Sequence, residues 1–189
     1  MNSGAMYRAV AWLAHARKVN PNDSAAVVRL LNSASFKTGL TGKESVILIE
    51  GENPDRHLKE EVVNRTVSMI SAIPEVRSFL LQHLRGFAQS DNIVMEGRDI
   101  GSTVFLETPF KFYIDAAPEI RARRRAAQGL KDNLIHRDRA DSSRRSSPLI
   151  IADDAQVIDS SSLSISGVVE EIMRRLTLKG LPTATPPVR

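Results

Sequence analysis

The sequence predicts an α/β protein whose strands run mostly parallel. Three observations carry this reading. From residue 93 onward, short apolar runs (Ile93-Val94-Met95, Phe110 to Ile114, Gln156-Val157-Ile158) alternate with loops and helical patterns, the rhythm of units that cross over to parallel neighbours. Each run leads into charge, at Arg98 and Asp99, at Asp115 and at Asp159, and ligands of open α/β sheets sit beyond the carboxyl ends of strands. The first half, by contrast, is mostly helical spacing with one β-like stretch.

Taken in order, Ser3 to Lys18 is Ala-rich and puts Val10, Leu13 and Ala14 on one helical face. Asn20-Pro21-Asn22-Asp23 makes a turn, and Asp23 or Ser24 can cap a second helix reaching Leu31. Residues 36–50 are β-like, with Gly39 and Gly42 ahead of Val46-Ile47-Leu48-Ile49, and Gly51-Glu52-Asn53-Pro54 ends them. Helical patterns follow from Leu58 to Ile73 and, past Pro74, from Glu75 to Ala88. Beyond the strand at 110–114, Pro118-Glu119 opens an Arg-rich helix. A polar, basic stretch runs from Gly129 to Ser147, and a last helix spans Ser164 to Leu178. The Pro/Thr-rich residues 181–189 are expected to be a disordered tail. No internal repeat is visible.

With 189 residues, 42% hydrophobic and 25% charged, the chain can bury the core of one domain, which excludes wholesale disorder. No apolar run approaches the roughly 18–20 residues of a bilayer span, and no signal segment opens the chain, so a cytoplasmic protein without membrane contact is expected. The absence of cysteine excludes disulfides, thiolate nucleophiles and Cys-based metal sites. The net charge of +4 is uneven: residues 121–145 carry nine Lys/Arg against three Asp, so the remainder is net negative. A confined basic cluster suits a compact anion better than a long polyanion. An aromatic content of 5% is thin for base stacking, so nucleic acid is not an expected partner.

Two charged segments hold the candidate chemistry. Arg98-Asp99 reads either as a phosphate-and-base contact from one loop or as a salt-bridged loop. Arg137, Asp141 and Arg144, at i, i+4 and i+7, share a helical face. Such a face is commonly a solvated ion-pair array, yet guanidinium forks also match phosphate oxygens, and mobile arginine-rich loops neutralise charge in phosphoryl transfer. The histidines (His15, His57, His83, His136) are scattered, and no G-x-S-x-G or G-x-x-x-x-G-K-[ST] sequence occurs.

At these residues the chain resembles bacterial cytidylate kinase, the CMP/dCMP kinase group of the P-loop nucleoside monophosphate kinases. The resemblance covers Asn2 to Leu178. It is carried by Ser3-Gly4-Ala5-Met6-Tyr7-Arg8, Ser68, Ile73-Pro74-Glu75-Val76-Arg77, Glu96-Gly97-Arg98-Asp99-Ile100-Gly101 and Tyr113-Ile114-Asp115-Ala116. Arg137-Asp138, Asp141-Ser142, Arg144, Pro148-Leu149 and Ile158-Asp159-Ser160 complete the series in the family's order. The resemblance implies a three-layer parallel sheet of the P-loop nucleoside monophosphate kinase type, with an inserted monophosphate-binding subdomain (33–90) and a lid (126–148) in one domain over 1–180. It implies that Ser3, Tyr7, Arg8, Ser68, Arg77, Arg98 and Asp99 bind CMP, with Arg98 and Asp99 reading the cytosine edge or the ribose. Arg137, Asp141 and Arg144 would act catalytically from the lid. Ser68 reads equally as an ordinary helix serine, and Tyr7 as a packing residue.

The implied reaction is in-line transfer of the ATP γ-phosphoryl group to CMP or dCMP with Mg²⁺, by positioning and charge rather than a covalent intermediate. The implied partners are small nucleotides, and the implied state is a monomer. Three departures accompany the resemblance. The family opens with a strand, a P-loop and a helix, and relative to that pattern roughly thirty residues, one βα unit with its turn, are missing before Asn2. Asn2 stands where the family usually has Asp, and the lid between Gln128 and Arg137 is short. The expectation is a misplaced start, with the first strand and P-loop lying upstream. The alternative is a truncated, non-catalytic CMP-binding remnant.

Overall fold

The computed structural model describes residues 1–42, 44–89, 91–128, 141–144 and 146–181. The first helix, α1 (Ser3–Ala16), begins where Asn2 accepts a hydrogen bond from the Ala5 amide at 3.0 Å. It stops where Lys18 turns to φ 55°, with the Val19 amide bonded back to the Ala14 carbonyl at 2.8 Å. Met6, Ala9, Val10, Leu13 and Ala14 are buried along it, and the alanines let neighbouring chain approach closely. Asp23 caps α2 (Ser24–Ser33) through the Ala26 amide at 2.9 Å.

The β-like stretch is an antiparallel hairpin, β1 (Phe36–Thr41) against β2 (Glu44–Ile49), in register from Phe36↔Ile49 to Thr41↔Glu44. Gly42, at φ 62°, supplies the left-handed conformation that a two-residue hairpin loop needs. The helical pattern expected from Leu58 starts later: a 3₁₀ turn at Asp55–His57 precedes α3 (Glu61–Ala72). Pro74, which lacks an N–H, ends α3 and opens α4 (Pro74–Gly86). Ile70, Val63, Val67, Val76, Leu80 and Leu84 from these two helices join the buried face of α1 and Val27, Leu31, Ile47 and Ile49 in one core.

The strand expected at Ile93-Val94-Met95 is corrected. Only Glu96 bridges, in parallel, to Asn2. Three backbone bonds join the segments: Met1 N to Val94 O (2.8 Å), Glu96 N to Met1 O (2.9 Å) and Ser3 N to Glu96 O (3.0 Å). A strand needs a partner along its length, and among the described residues this short contact with Met1–Ser3 is what the segment has. Ile100–Val104 then forms a π turn, closed by Phe105 N to Ile100 O at 2.8 Å and held from outside by Arg85, whose Nε donates to Val104 O at 2.9 Å.

β3 (Phe112–Asp115) pairs in parallel with β4 (Gln156–Asp159), and α5 (Pro118–Ala127) follows β3. Thus the extended parallel sheet is present, among the described residues, as this two-stranded piece plus the bridge at Asn2. Ser160 ties the pair shut: its hydroxyl donates to Asp115 O at 2.8 Å while Arg124 Nη1 donates to Ser160 Oγ at 2.9 Å. The last helix, α6 (Ile165–Leu178), is capped by Ser164 and clasped by Glu171, which accepts from Arg174 and Arg175 and is held down to a pKa of about 2 by those two partners. Among the described residues no helix is long and apolar enough to cross a membrane. Residues 182–189, and residues 129–140 and 145 of the stretch 126–148 expected as lid, lie outside the described residues.

Candidate functional site

The site assembles where four pieces of chain meet: the start of α1, the junction of α3 and α4, the loop after Glu96, and residues 141–144. The first piece is fixed by the three backbone bonds between Met1–Ser3 and Val94–Glu96. They press Ser3 against Gly97 so closely that a Cβ at residue 97 would lie 2.1 Å from Ser3 Oγ. Glycine is required there for the approach of the two chains, not for backbone freedom. One turn on, Arg8 folds back over the same end of α1, its Nη1 3.2 Å from where a Cβ on Gly4 would stand. Tyr7 faces Arg77, whose guanidinium carbon lies 5.3 Å from the ring centre. Burial raises the Tyr7 hydroxyl above its ordinary pKa, opposed by the Arg77 charge.

Arg77, in the first turn of α4, is 5% exposed. Its Nη1 donates to the Ser71 carbonyl at 3.1 Å and its Nη2 to the Asp99 carboxylate, while its buried Nε has no hydrogen-bond partner. Asp99 is itself buried, and its carbonyl accepts the Thr103 and Val104 amides at 2.9 and 3.2 Å, so the π turn aims the carboxylate at Arg77. Asp141, 2% exposed, receives Arg144 and stands 3.5 Å from Arg98 Nε. The Leu149 amide, bonded to Asp141 O at 2.9 Å, pins it. Arg144 Nη2 also donates to Ser71 Oγ at 3.0 Å. Burial lowers the Arg144 pKa, and the nearby Asp141 charge works against that.

The Arg98-Asp99 loop is salt-bridged, and its ion pairs reach distant partners, Asp99 to Arg77 and Arg98 to Asp141. Tyr7, Arg77, Arg98, Asp99, Asp141 and Arg144 form one connected polar cluster, with Ser3 and Arg8 on the adjoining end of α1. Ser68 is half-buried on α3, and its carbonyl accepts the Ser71 hydroxyl at 3.1 Å. Arg137 lies outside the described residues. Ser71 was not singled out from the sequence, although its place one turn after Ser68 is the signal that could have found it.

Three guanidiniums against two carboxylates leave this cluster with one net positive charge, a setting for an anion. The same donor set does not fit Mg²⁺. Asp99 and Asp141 already accept from arginines, and the described residues contain no group of three or more acidic or histidine side chains that could hold a metal. A separate cleft of about 570 Å³, bounded by Thr38, His83, Phe87 and Asp91, shares no residue with the cluster.

Comparison with known proteins bears on what anion this is. The family model described as cytidylate kinase matches residues 1–178. The cytidylate kinase of Pelotomaculum thermopropionicum is 36% identical, aligning 94% of this chain with 84% of that protein. That of Coxiella burnetii is 35% identical, over 96% of this chain and 82% of its own length. A bifunctional pantoate ligase/cytidylate kinase of Synechococcus elongatus is 37% identical over 98% of this chain, which spans 39% of that longer protein. With nearly the whole chain matched and relatives well above 30% identity, the protein belongs to the cytidylate kinase family.

Proposed function

We propose that the chain binds CMP or dCMP at the arginine cluster and phosphorylates it with ATP, giving CDP or dCDP and ADP. The observation that carries this reading is the set of Arg77, Arg98 and Arg144 around two buried carboxylates, with Arg77 itself buried and its Nε unpartnered. A phosphate dianion supplies the missing negative charge and the missing acceptor together. In this reading Arg77 and Arg144 hold the CMP phosphate, and Arg98 and Asp99 read the cytosine edge or the ribose. Ser3, Tyr7, Arg8 and Ser68 line the same pocket. Residues 33–90 form the monophosphate-binding insert, and 126–148 a lid that brings Arg137, Asp141 and Arg144 over both nucleotides.

In the reaction an oxygen of the CMP phosphate attacks the γ-phosphorus of ATP in line. The new P–O bond forms as the bond to the β,γ-bridging oxygen breaks, and ADP leaves with that oxygen. The arginines hold the attacking phosphate in place and offset its charge, so that two anions can approach. ATP with Mg²⁺ is the donor the family resemblance implies, and the described residues supply the acceptor half. A second reading is CMP binding without phosphoryl transfer.

Calorimetry with CMP, and ADP release in the presence of ATP, separate the two. Both positive supports the kinase; CMP binding without ADP supports the second reading; no CMP binding refutes both. Arg98→Ala and Asp99→Ala should weaken CMP more than ATP, and Arg144→Ala should chiefly slow turnover. An unchanged CMP affinity in Asp99→Ala would remove that residue from the site.

A further inference from the structure

We infer that Ser71 is a positioning residue that ties Arg77 to Arg144 and so sets the spacing at which two guanidiniums meet one phosphate group. The inference deepens the acceptor-site reading above and rests on it. Ser71 touches both arginines by two different atoms. Its carbonyl accepts Arg77 Nη1 at 3.1 Å, and its hydroxyl oxygen accepts Arg144 Nη2 at 3.0 Å.

Both acceptors are available for reasons that lie in the local chain. Ser71 sits in the last turn of α3, where carbonyls have no intrahelical donor. The residue three further on is Pro74, which has no N–H to offer the Ser71 carbonyl. The hydroxyl has a fixed direction as well. It donates its one proton to Ser68 O at 3.1 Å, which leaves its lone pairs for Arg144. At 6% exposure, water competes little for either position. The C-terminal end of α3 also presents partial negative charge, which favours two cations there over their mutual repulsion.

The consequence is a preset pair. Arg77 comes from α4 and Arg144 from the stretch 141–144, 67 positions apart in sequence. Ser71 joins them before a ligand arrives, so less side-chain freedom remains to be lost when a phosphate binds. An alanine at residue 71 keeps the carbonyl contact to Arg77 and gives up the hydroxyl's bonds to Arg144 and to the Ser68 carbonyl.

The test uses the 189-residue chain with Ser71→Ala and Ser71→Thr, titrated with CMP and with cytidine. Ser71→Ala should weaken CMP about tenfold, the low end for a hydrogen bond to a charged group, while cytidine binding stays within about twofold, and Ser71→Thr should restore CMP. Loss of CMP and cytidine affinity in equal measure, or no loss of CMP affinity, overturns the inference and leaves the acceptor site standing. Thermal unfolding of Ser71→Ala, Arg144→Met and the double variant without nucleotide supplies an independent check. Additive effects overturn the Ser71–Arg144 link, and coupled effects support it. Failure of the unaltered chain to bind CMP overturns the functional reading, and with it the phosphate role given to Ser71.

Discussion

The Arg77–Asp99 pair offers the sharpest test of how the cluster is held. The two side chains are 5% and 8% exposed, and Arg77 Nη2 donates directly to the Asp99 carboxylate. Arg77→Met keeps an apolar stem of similar length and leaves Asp99 as a buried, uncompensated anion. Asp99→Asn leaves Arg77 as the uncompensated cation. Breaking one side of a buried pair costs about 3–5 kcal/mol, and Arg77→Met also gives up the bond to Ser71 O, for about 1 kcal/mol more. For a domain of this size each kcal/mol moves the midpoint by about 2–4 °C, so Asp99→Asn should lower Tm by about 6–20 °C and Arg77→Met by about 8–24 °C. The double variant Arg77→Met/Asp99→Asn removes both charges and should cost clearly less than the sum of the singles. The assay is urea unfolding of all four proteins followed by helix signal. If the single effects add within about 0.5 kcal/mol, the two side chains do not interact as described and the reasoning fails.

Two further outcomes are expected. Gly97→Ala forces a Cβ to within 2.1 Å of Ser3 Oγ and 2.8 Å of Ile100 Cγ1, so it should destabilise by about 1–3 kcal/mol, measured by thermal unfolding, and a neutral result would mean that the α1 start and the 97–100 loop are looser than described. His83 packs on Phe79 and Phe36 with ring centres 4.7 and 5.2 Å away, and burial lowers its pKa below the usual 6.5. The unfolded chain therefore binds the proton more readily, so stability is full above about pH 6.5 and falls as the pH drops below it. Replacing His83 by Gln should flatten that limb of the stability profile, and an unchanged slope would assign it to other groups.

The local elements were legible because their signals are local. Asn2, Asp23 and Ser164 cap the helices that follow them, Pro74 divides α3 from α4, and Gly42 sits in the hairpin loop. The strand expected at 93–95 is not formed because a strand depends on its partner, and among the described residues the segment has a single bridge, from Glu96 to Asn2. The π turn carries no propensity signal: Ile100-Gly101-Ser102-Thr103-Val104 takes that shape because Asp99 and Arg85 hold its two ends. In the site, residue types were legible and pairings were not. Arg98-Asp99 looked like one unit, but Asp99 meets Arg77, 22 positions away, and Arg98 meets Asp141. Arg144 meets Ser71 across 73 positions, a contact that no spacing rule contains.

In the cluster the three guanidiniums already hold acceptors before any nucleotide arrives: Arg77 has Asp99 and the Ser71 carbonyl, Arg98 has Asp141, and Arg144 has Asp141 and the Ser71 hydroxyl. Uptake of an anion here is thus an exchange of partners, like the displacement of a counterion from a resin. A weakly basic monovalent ion such as chloride offers too little to displace a carboxylate held in a buried setting. A phosphate dianion brings twice the charge and several acceptor oxygens, and it can engage two guanidiniums at once. On the acceptor-site proposal, the internal carboxylates would act as a threshold that keeps the site closed to abundant salt and open to phosphate esters.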